Sequence, residues 1–260
     1  MKRGLYTTEA VILNSFDYGE SDRILAFCSS DYGKIKGIAK GARRSKKRFV
    51  GNLEPASHVR LDFFSSEKSE LVRVEQVTLL DAMPGLRADM ERYGAACCML
   101  ETVSEMTREG LSLPRVFSLL LSFVKMAAQL PDAAHTLSFF EIKLLDILGF
   151  SPHLESCVAC RLGFGSGHGE DARIFFSSEK GGALCPDCAA GASMLVPVTI
   201  GTARFLIAAL RFDNELLARL KPNGRILKEG GALLDDFIAF QTGKELKAKK
   251  FLAKLKCASV

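Results

Sequence analysis

Two cysteine hooks, Cys157-Val-Ala-Cys160 and Cys185-Pro-Asp-Cys188, stand twenty-four residues apart in the second half of this chain. Each Cys-x-x-Cys turn brings two sulfurs to one edge of a tetrahedron, so the pair delivers four thiolates to a single ion at about 2.3 Å. The gap exceeds the usual spacer of about 15–20 residues, so the segment between the hooks has to form a hairpin of its own. Residues 173–185 supply one: the apolar run Ile174-Phe175-Phe176, a turn at Gly181-Gly182, and a return into the second hook. This is a zinc-ribbon layout. Four protein ligands fill the coordination sphere and leave no position for water, so one zinc held by Cys157, Cys160, Cys185 and Cys188 is structural and not catalytic. His153 and His168 lie near enough to be stand-in ligands, but with four cysteines present both read as surface histidines.

Two disulfides or a dithiol redox pair are the competing readings. They need an oxidising compartment, or a βαβ context around a single Cys-x-x-Cys, and neither is visible. Cys28, Cys97, Cys98 and Cys257 show no comparable pairing, and Cys97-Cys98 lies in an apolar, helix-like stretch where thiols serve as small hydrophobes. A reduced, cytoplasmic protein is expected. Thr7, Thr8 and Glu9 interrupt any signal-peptide core behind Met1-Lys2-Arg3. Lys125 breaks the most apolar run, Val116 to Leu130, short of a membrane span.

The chain has 260 residues, 48% hydrophobic and 25% charged, which suits one large domain or two to three small ones. A net charge of +5 matters less than where the charge sits. Lys34, Lys36, Lys40, Arg43, Arg44, Lys46, Lys47 and Arg48 follow one another with no acidic residue between Asp31 and Glu54, and a second basic run closes the chain from Lys244 to Lys256.

Short runs rich in branched and aromatic residues predict strands over 5–13, 23–29, 34–40, 58–65 and 70–79, separated by turn residues. Five such strands suggest a closed barrel of the OB type, which carries single-stranded nucleic acid in many proteins. From about residue 86 the period becomes helical: 86–108, 113–130 and 133–148, then 200–212 and 225–240 beyond the cysteines. The expected fold is α+β and multidomain: an OB barrel over 1–80, a helical domain split between 81–152 and 193–245, an inserted zinc module at 153–192, and a basic tail at 246–260.

Enzyme motifs are lacking. The cluster Gly163-Phe-Gly165-Ser-Gly167-His-Gly169 misses the dinucleotide fingerprint by one residue and reads as a loop. Gly33-Lys34 and Gly243-Lys244 lack the rest of a phosphate-binding loop, no histidine-based acid–base centre can be assembled from four scattered histidines, and Asp235-Asp236 read as solvated. A non-enzymatic protein is expected.

The run Lys34–Arg48 reads either as a solvated face or as a phosphate-binding surface. The absence of acids and its position on a strand and loop of the barrel favour the second. Lys40, Arg43, Arg44, Lys46, Lys47 and Arg48 are the leading candidates for DNA contact, with Arg23, Lys34 and Lys36 behind them. Tyr18, Tyr32 and Phe49 flank the run as possible base-stacking residues, Phe49 equally as core.

The segments Thr7-Thr-Glu-Ala-Val-Ile-Leu13, Asp17-Tyr-Gly-Glu-Ser-Asp-Arg-Ile-Leu25, Tyr32-Gly-Lys34 and Ala39-Lys-Gly-Ala-Arg-Arg44 resemble the RecO family of DNA repair proteins. Phe140-Glu-Ile-Lys-Leu-Leu-Asp-Ile-Leu-Gly-Phe-Ser-Pro152 before Cys157, and Gly181-Gly182 before Cys185, are similar to that family's junction between helix and zinc module. The resemblance implies a protein of the bacterial cytoplasm and nucleoid that binds single- and double-stranded DNA and anneals complementary strands. It also implies action with RecR to place RecA on DNA coated by single-stranded DNA-binding protein. The docking sites of those partners match no motif here. An RNA-binding or transcription-type barrel-and-ribbon protein, and a Cys-x-x-Cys oxidoreductase, are the alternative functions.

Overall fold

The computed structural model describes residues 1–45, 48–49, 53–66, 69–130, 133–165, 167 and 169–258. Strands β1 (Gly4–Tyr18), β2 (Asp22–Ser29), β3 (Gly33–Ala39), β4 (His58–Ser65) and β5 (Val72–Asp81) lead into helices α1 (Pro84–Arg87), α2 (Met90–Met106), α3 (Pro114–Gln129) and α4 (Ala133–Ile147). After these come β6 (Arg173–Ser177), β7 (Gly182–Leu184), α5 (Pro186–Ala189), β8 (Leu195–Thr199), α6 (Ile200–Arg211), α7 (Asn214–Arg219), α8 (Gly224–Thr242) and α9 (Lys247–Ala258). Two compact units result, Met1–Pro131 with Lys247–Val260, and Asp132–Leu246. Helices α1–α3 and α9 therefore belong with the barrel, while α4 and α6–α8 belong with the cysteine segment.

The first unit is built on a closed barrel in the order β1-β2-β3-β5-β4, with β3 and β5 parallel and the other pairs antiparallel. Closure depends on β1. Its first half pairs with β4 and its second half with β2, and a register shift between Ile12 and Asn14 lets the strand bend from one partner to the other. This is the OB arrangement read from the strand pattern. Ile12, Leu25, Phe27, Ile35, Leu61, Phe63, Val72 and Val74 point inward and are buried, each worth about 1.5–3 kcal/mol on leaving water. Tyr6 stacks on Phe63 with ring centres 5.5 Å apart, and Tyr32 meets both rings edge-on, closing one end of the barrel. Gly33 opens β3 at φ 65°, and a Cβ there would lie 1.8 Å from the Leu111 carbonyl oxygen, so only glycine lets the loop before α3 approach the strand.

The single helix expected over 86–108 is two helices. Asp89 is extended and its carboxylate accepts hydrogen bonds from the Glu91 and Arg92 amides, which caps α2 and forces the break. The closing basic run, expected as a tail, is helix α9.

In the second unit β6, β7 and β8 form a sheet in the order β7-β6-β8, and α4, α6 and α8 pack against one another. Asp236 was expected in solvent; instead it accepts a hydrogen bond from Ser178. Lys143 on α4 donates to the Phe212 carbonyl at 2.7 Å, holding the end of α6, and burial lowers its pKa.

Glu229 on α8 binds the opposite end of α6. Its Oε2 accepts from the Thr199 amide and hydroxyl at 2.8 Å and from the Thr202 hydroxyl at 2.7 Å. Burial pushes this carboxyl up, but those donors outweigh it and hold the pKa below the usual 4.5. Because the folded pKa is depressed, the charge stabilises the fold above pH about 4.5 and the gain is lost as pH falls through the folded pKa. Glu229→Gln is expected to cost about 1 kcal/mol at neutral pH, discounted for partial solvation. Melting curves of both proteins from neutral to acid pH should converge, and a gap that stays constant would contradict the assignment.

Candidate metal centre and nucleic-acid interface

The four hook cysteines converge, with their sulfurs all within 4.8 Å of one another. Cys157 sits in a tight knuckle: Arg161 donates its amide to the Cys157 carbonyl at 2.9 Å and adopts φ 66°, while the Cys157 amide donates to the Leu162 carbonyl at 2.8 Å. The second hook opens a helical turn, because Pro186 starts α5 and the Ala189 amide donates to the Cys185 carbonyl at 2.9 Å. Between them runs the expected hairpin, β6 and β7 joined through Gly181-Gly182.

The hooks are registered against each other by backbone. His153 donates to the Gly181 carbonyl at 3.0 Å, Ala183 donates to the His153 carbonyl at 2.8 Å, and Val158 donates to the Ala183 carbonyl at 2.9 Å. Gly182 lies flat against this ladder, where a Cβ would fall 2.4 Å from Val158 Cγ1 and 2.9 Å from the His153 oxygen. Gly182→Ala should therefore separate the hooks and cost roughly 1–3 kcal/mol. Lower metal retention under chelator, together with a lower melting temperature, is the expected result; wild-type retention would show that the ladder yields without disturbing the sulfurs.

Cys160 Sγ and Cys185 Sγ are 3.8 Å apart. That is far beyond a disulfide of about 2 Å and equals the edge, about 3.8 Å, of a tetrahedron whose corners lie about 2.3 Å from its centre. Charge points the same way. Burial raises the Cys157 pKa, but amides of Cys160, Cys185 and Ala159 aimed at the sulfur outweigh it and bring the thiol down to about 6. The neighbouring sulfurs of Cys185 and Cys160 push Cys188 up to about 12. Four thiolates crowded together need a cation, and the set fits zinc. His153 bonds to Ser156 at 2.7 Å and is not among the clustered ligands, while His168 lies outside the described residues.

The basic run is spread over three settings. Lys34 and Lys36 point outward from β3 and meet, respectively, the last turn of α2 and the segment that follows it. Lys34 Nζ donates to the Ser104 carbonyl at 2.5 Å, and burial depresses its pKa. Lys36 Nζ lies 2.7 Å from Glu109, whose hydrogen bond and charge raise its pKa. Arg43 and Arg44 occupy a 3₁₀ turn, Ala42–Arg44, tied to the β1–β2 turn: the Arg43 amide donates to the Ser21 carbonyl at 2.9 Å and the Gly41 amide to Asp22 at 2.8 Å. Arg48 lies over the Phe49 ring at 4.9 Å and donates to the Lys40 carbonyl at 3.0 Å. Lys46 and Lys47 lie outside the described residues.

Acids absent from the run in sequence are present around it in space. Asp17 lies 3.4 Å from Arg23 and 3.5 Å from Arg43, Glu54 lies 3.5 Å from Arg23, and Glu20 lies 3.7 Å from Arg44. Arg43 and Arg44 nevertheless keep 48% and 74% of their side chains exposed. Exposed pairs are worth about 0–1 kcal/mol, so a phosphate can replace the carboxylate. Of the flanking aromatics, Phe49 is core at 3% exposure, Tyr32 is packed at the barrel end, and Tyr18 alone of the three is largely exposed, at 55%. No helix among the described residues is long and apolar enough to cross a membrane.

Comparison with known proteins covers both units. Residues 1–83 match the family described as recombination protein O N terminal, and residues 87–250 match recombination protein O C terminal. The DNA repair protein RecO of Syntrophus aciditrophicus is 30% identical over 252 residues, 96% of each chain. That of Syntrophotalea carbinolica is 32% identical over 251 residues, 96% of this chain and 94% of its own. That of Syntrophobacter fumaroxidans is 33% identical over 247 residues, 94% and 96% respectively. With its barrel, helices α2–α8 and its cysteine module inside the family match, the chain belongs to the recombination protein O family of DNA repair and recombination proteins.

Proposed function

We propose that this protein is a recombination mediator that binds single- and double-stranded DNA, anneals complementary strands, and acts with RecR to load RecA on DNA coated by single-stranded DNA-binding protein. The observation that supports this reading is an OB barrel that carries the 3₁₀ turn of Arg43 and Arg44, tied to the β1–β2 turn, with Lys40 and Arg48 beside it in sequence and all four residues exposed, in a chain of this family. Arg23 is assigned to the same DNA contact, and Lys46 and Lys47 are assigned to it from their place in the sequence alone. Lys34 and Lys36 contribute less, since their amines already engage Ser104 and Glu109.

Annealing requires no bond chemistry. Guanidinium groups that replace the counterions of two phosphate backbones reduce their repulsion and leave the bases exposed for pairing. The arginines give up carboxylate partners for phosphates at little cost, so the surface loads and releases strands readily. One zinc held by Cys157, Cys160, Cys185 and Cys188 serves as a structural clamp on its unit, and no step of the reaction passes through it.

The test is titration of labelled single strands, DNA and RNA, across a salt series. About six phosphate contacts predict a log–log slope near −4. Preference for DNA supports the repair function, preference for RNA would favour an RNA-binding or transcription-type protein, and no binding to either would remove the reading.

A further inference from the structure

Helix α9 is fixed in place with care. Leu252 is buried at 6% exposure and sits over Gly94 of α2, where a Cβ would lie 2.9 Å from Leu252 Cδ1. The Glu101 carboxylate, also from α2, accepts hydrogen bonds from the Lys247 amide at 3.0 Å and the Ala248 amide at 2.7 Å. A glycine notch and a carboxylate clamp thus set both the rotation and the start of this helix within the barrel's own unit.

That rotation decides what faces out. Lys247, Lys250, Phe251 and Lys254 are exposed, and at 3.6 residues per turn they fall within about 100° of arc over a rise of about 10 Å. Phe251 keeps 49% of its surface in solvent. No acidic residue occurs anywhere in α9, although lysines in a first turn oppose the helix dipole and repel one another at i,i+3 and i,i+4. Three exposed lysines on one face, with an exposed aromatic ring set among them, are complementary to a polyanion that also offers ring faces.

We propose that the outer face of α9 is a second DNA-binding surface, with Lys247, Lys250 and Lys254 on phosphates and Phe251 stacking on an unpaired base. The proposal rests on the DNA-binding function above but not on the barrel surface. It concerns a helix that continues past residue 250, where the family match ends. Two separate surfaces in one unit would let one chain hold two strands, as annealing requires.

The experiment uses the full, metal-loaded chain and labelled oligonucleotides, single-stranded and duplex, between about 50 and 200 mM salt. Replacing Lys247, Lys250 and Lys254 together by alanine favours the helix, so an unchanged or higher melting temperature confirms folding. The expected result is a single-strand slope shallower by about 2, at roughly −0.7 per lost contact, with weaker duplex binding as well. Phe251→Ala should lower single-strand affinity about tenfold and leave duplex affinity alone, because duplex bases are not free to stack. Wild-type slopes in the lysine variant would overturn the proposal while leaving the barrel surface standing. Loss of binding to polyglutamate in that variant, with DNA binding intact, would overturn it in favour of an acidic protein partner. Failure of the wild-type chain to bind DNA at all would overturn both.

Discussion

Cys157→Ser is expected to strip the metal and unfold the segment from His153 to Ala189, leaving a protein that aggregates. Cys157 is buried among the four sulfurs, takes three amide hydrogen bonds and anchors the knuckle that carries Cys160. Structural zinc contributes about 10–16 kcal/mol of apparent binding free energy in small modules, against about 5–15 kcal/mol for the stability of a whole domain. Removing one ligand forfeits a large part of that. Cys185→Ser should behave alike, since Cys185 is buried at 3% exposure. Metal analysis should find about one zinc per wild-type chain and much less in either variant. A metal-free wild-type protein with four reactive thiols and a cooperative melt would contradict the assignment.

The second large effect concerns the arginine surface. Replacing Lys40, Arg43 and Arg44 together by alanine should make the single-strand salt slope shallower by about 2 and weaken binding to every sequence alike, because phosphate contacts position without specifying. Folding should survive, since these side chains are exposed and their ion pairs are worth about 0–1 kcal/mol each. The acids give the converse. Asp17 and Glu20 hold Arg43 and Arg44 in competition with phosphate, so Asp17→Asn with Glu20→Gln should tighten binding several-fold at low salt and lose that advantage as salt rises. A mere solvated face would leave both sets of variants binding like wild type.

These opposite effects mark where the sequence was legible and where it was not. The barrel could be read because its strands alternate with period 2 and its turns carry Gly19, Gly33 and their polar neighbours, all local signals. The cysteine cluster could be read because spacing alone brings Cys-x-x-Cys sulfurs together, and the Gly181-Gly182 turn marks the hairpin between them. The electrostatics could not be read in the same way. The run from Lys34 to Arg48 has no acid of its own, yet Asp17 and Glu20 reach it across the β1–β2 turn, and Glu109 from some seventy residues downstream. Charge balance is a property of the folded surface, and no linear window contains it. Phe49 was ambiguous for the same reason, since only closure of the barrel turns its ring inward. Helix α9 was hidden by its lysines: the apolar signal is thin, and its docking depends on Gly94 and Glu101, remote in sequence.

The most direct test is a strand-annealing assay with the metal-loaded, full-length chain, complementary oligonucleotides coated by the cognate single-stranded DNA-binding protein, and no nucleotide. The expected result is acceleration of pairing by the wild-type chain, reduced roughly tenfold or more in the Lys40, Arg43 and Arg44 alanine variant at unchanged zinc content. Annealing no faster than the spontaneous rate with wild-type protein, or equal rates for wild type and variant, would contradict it.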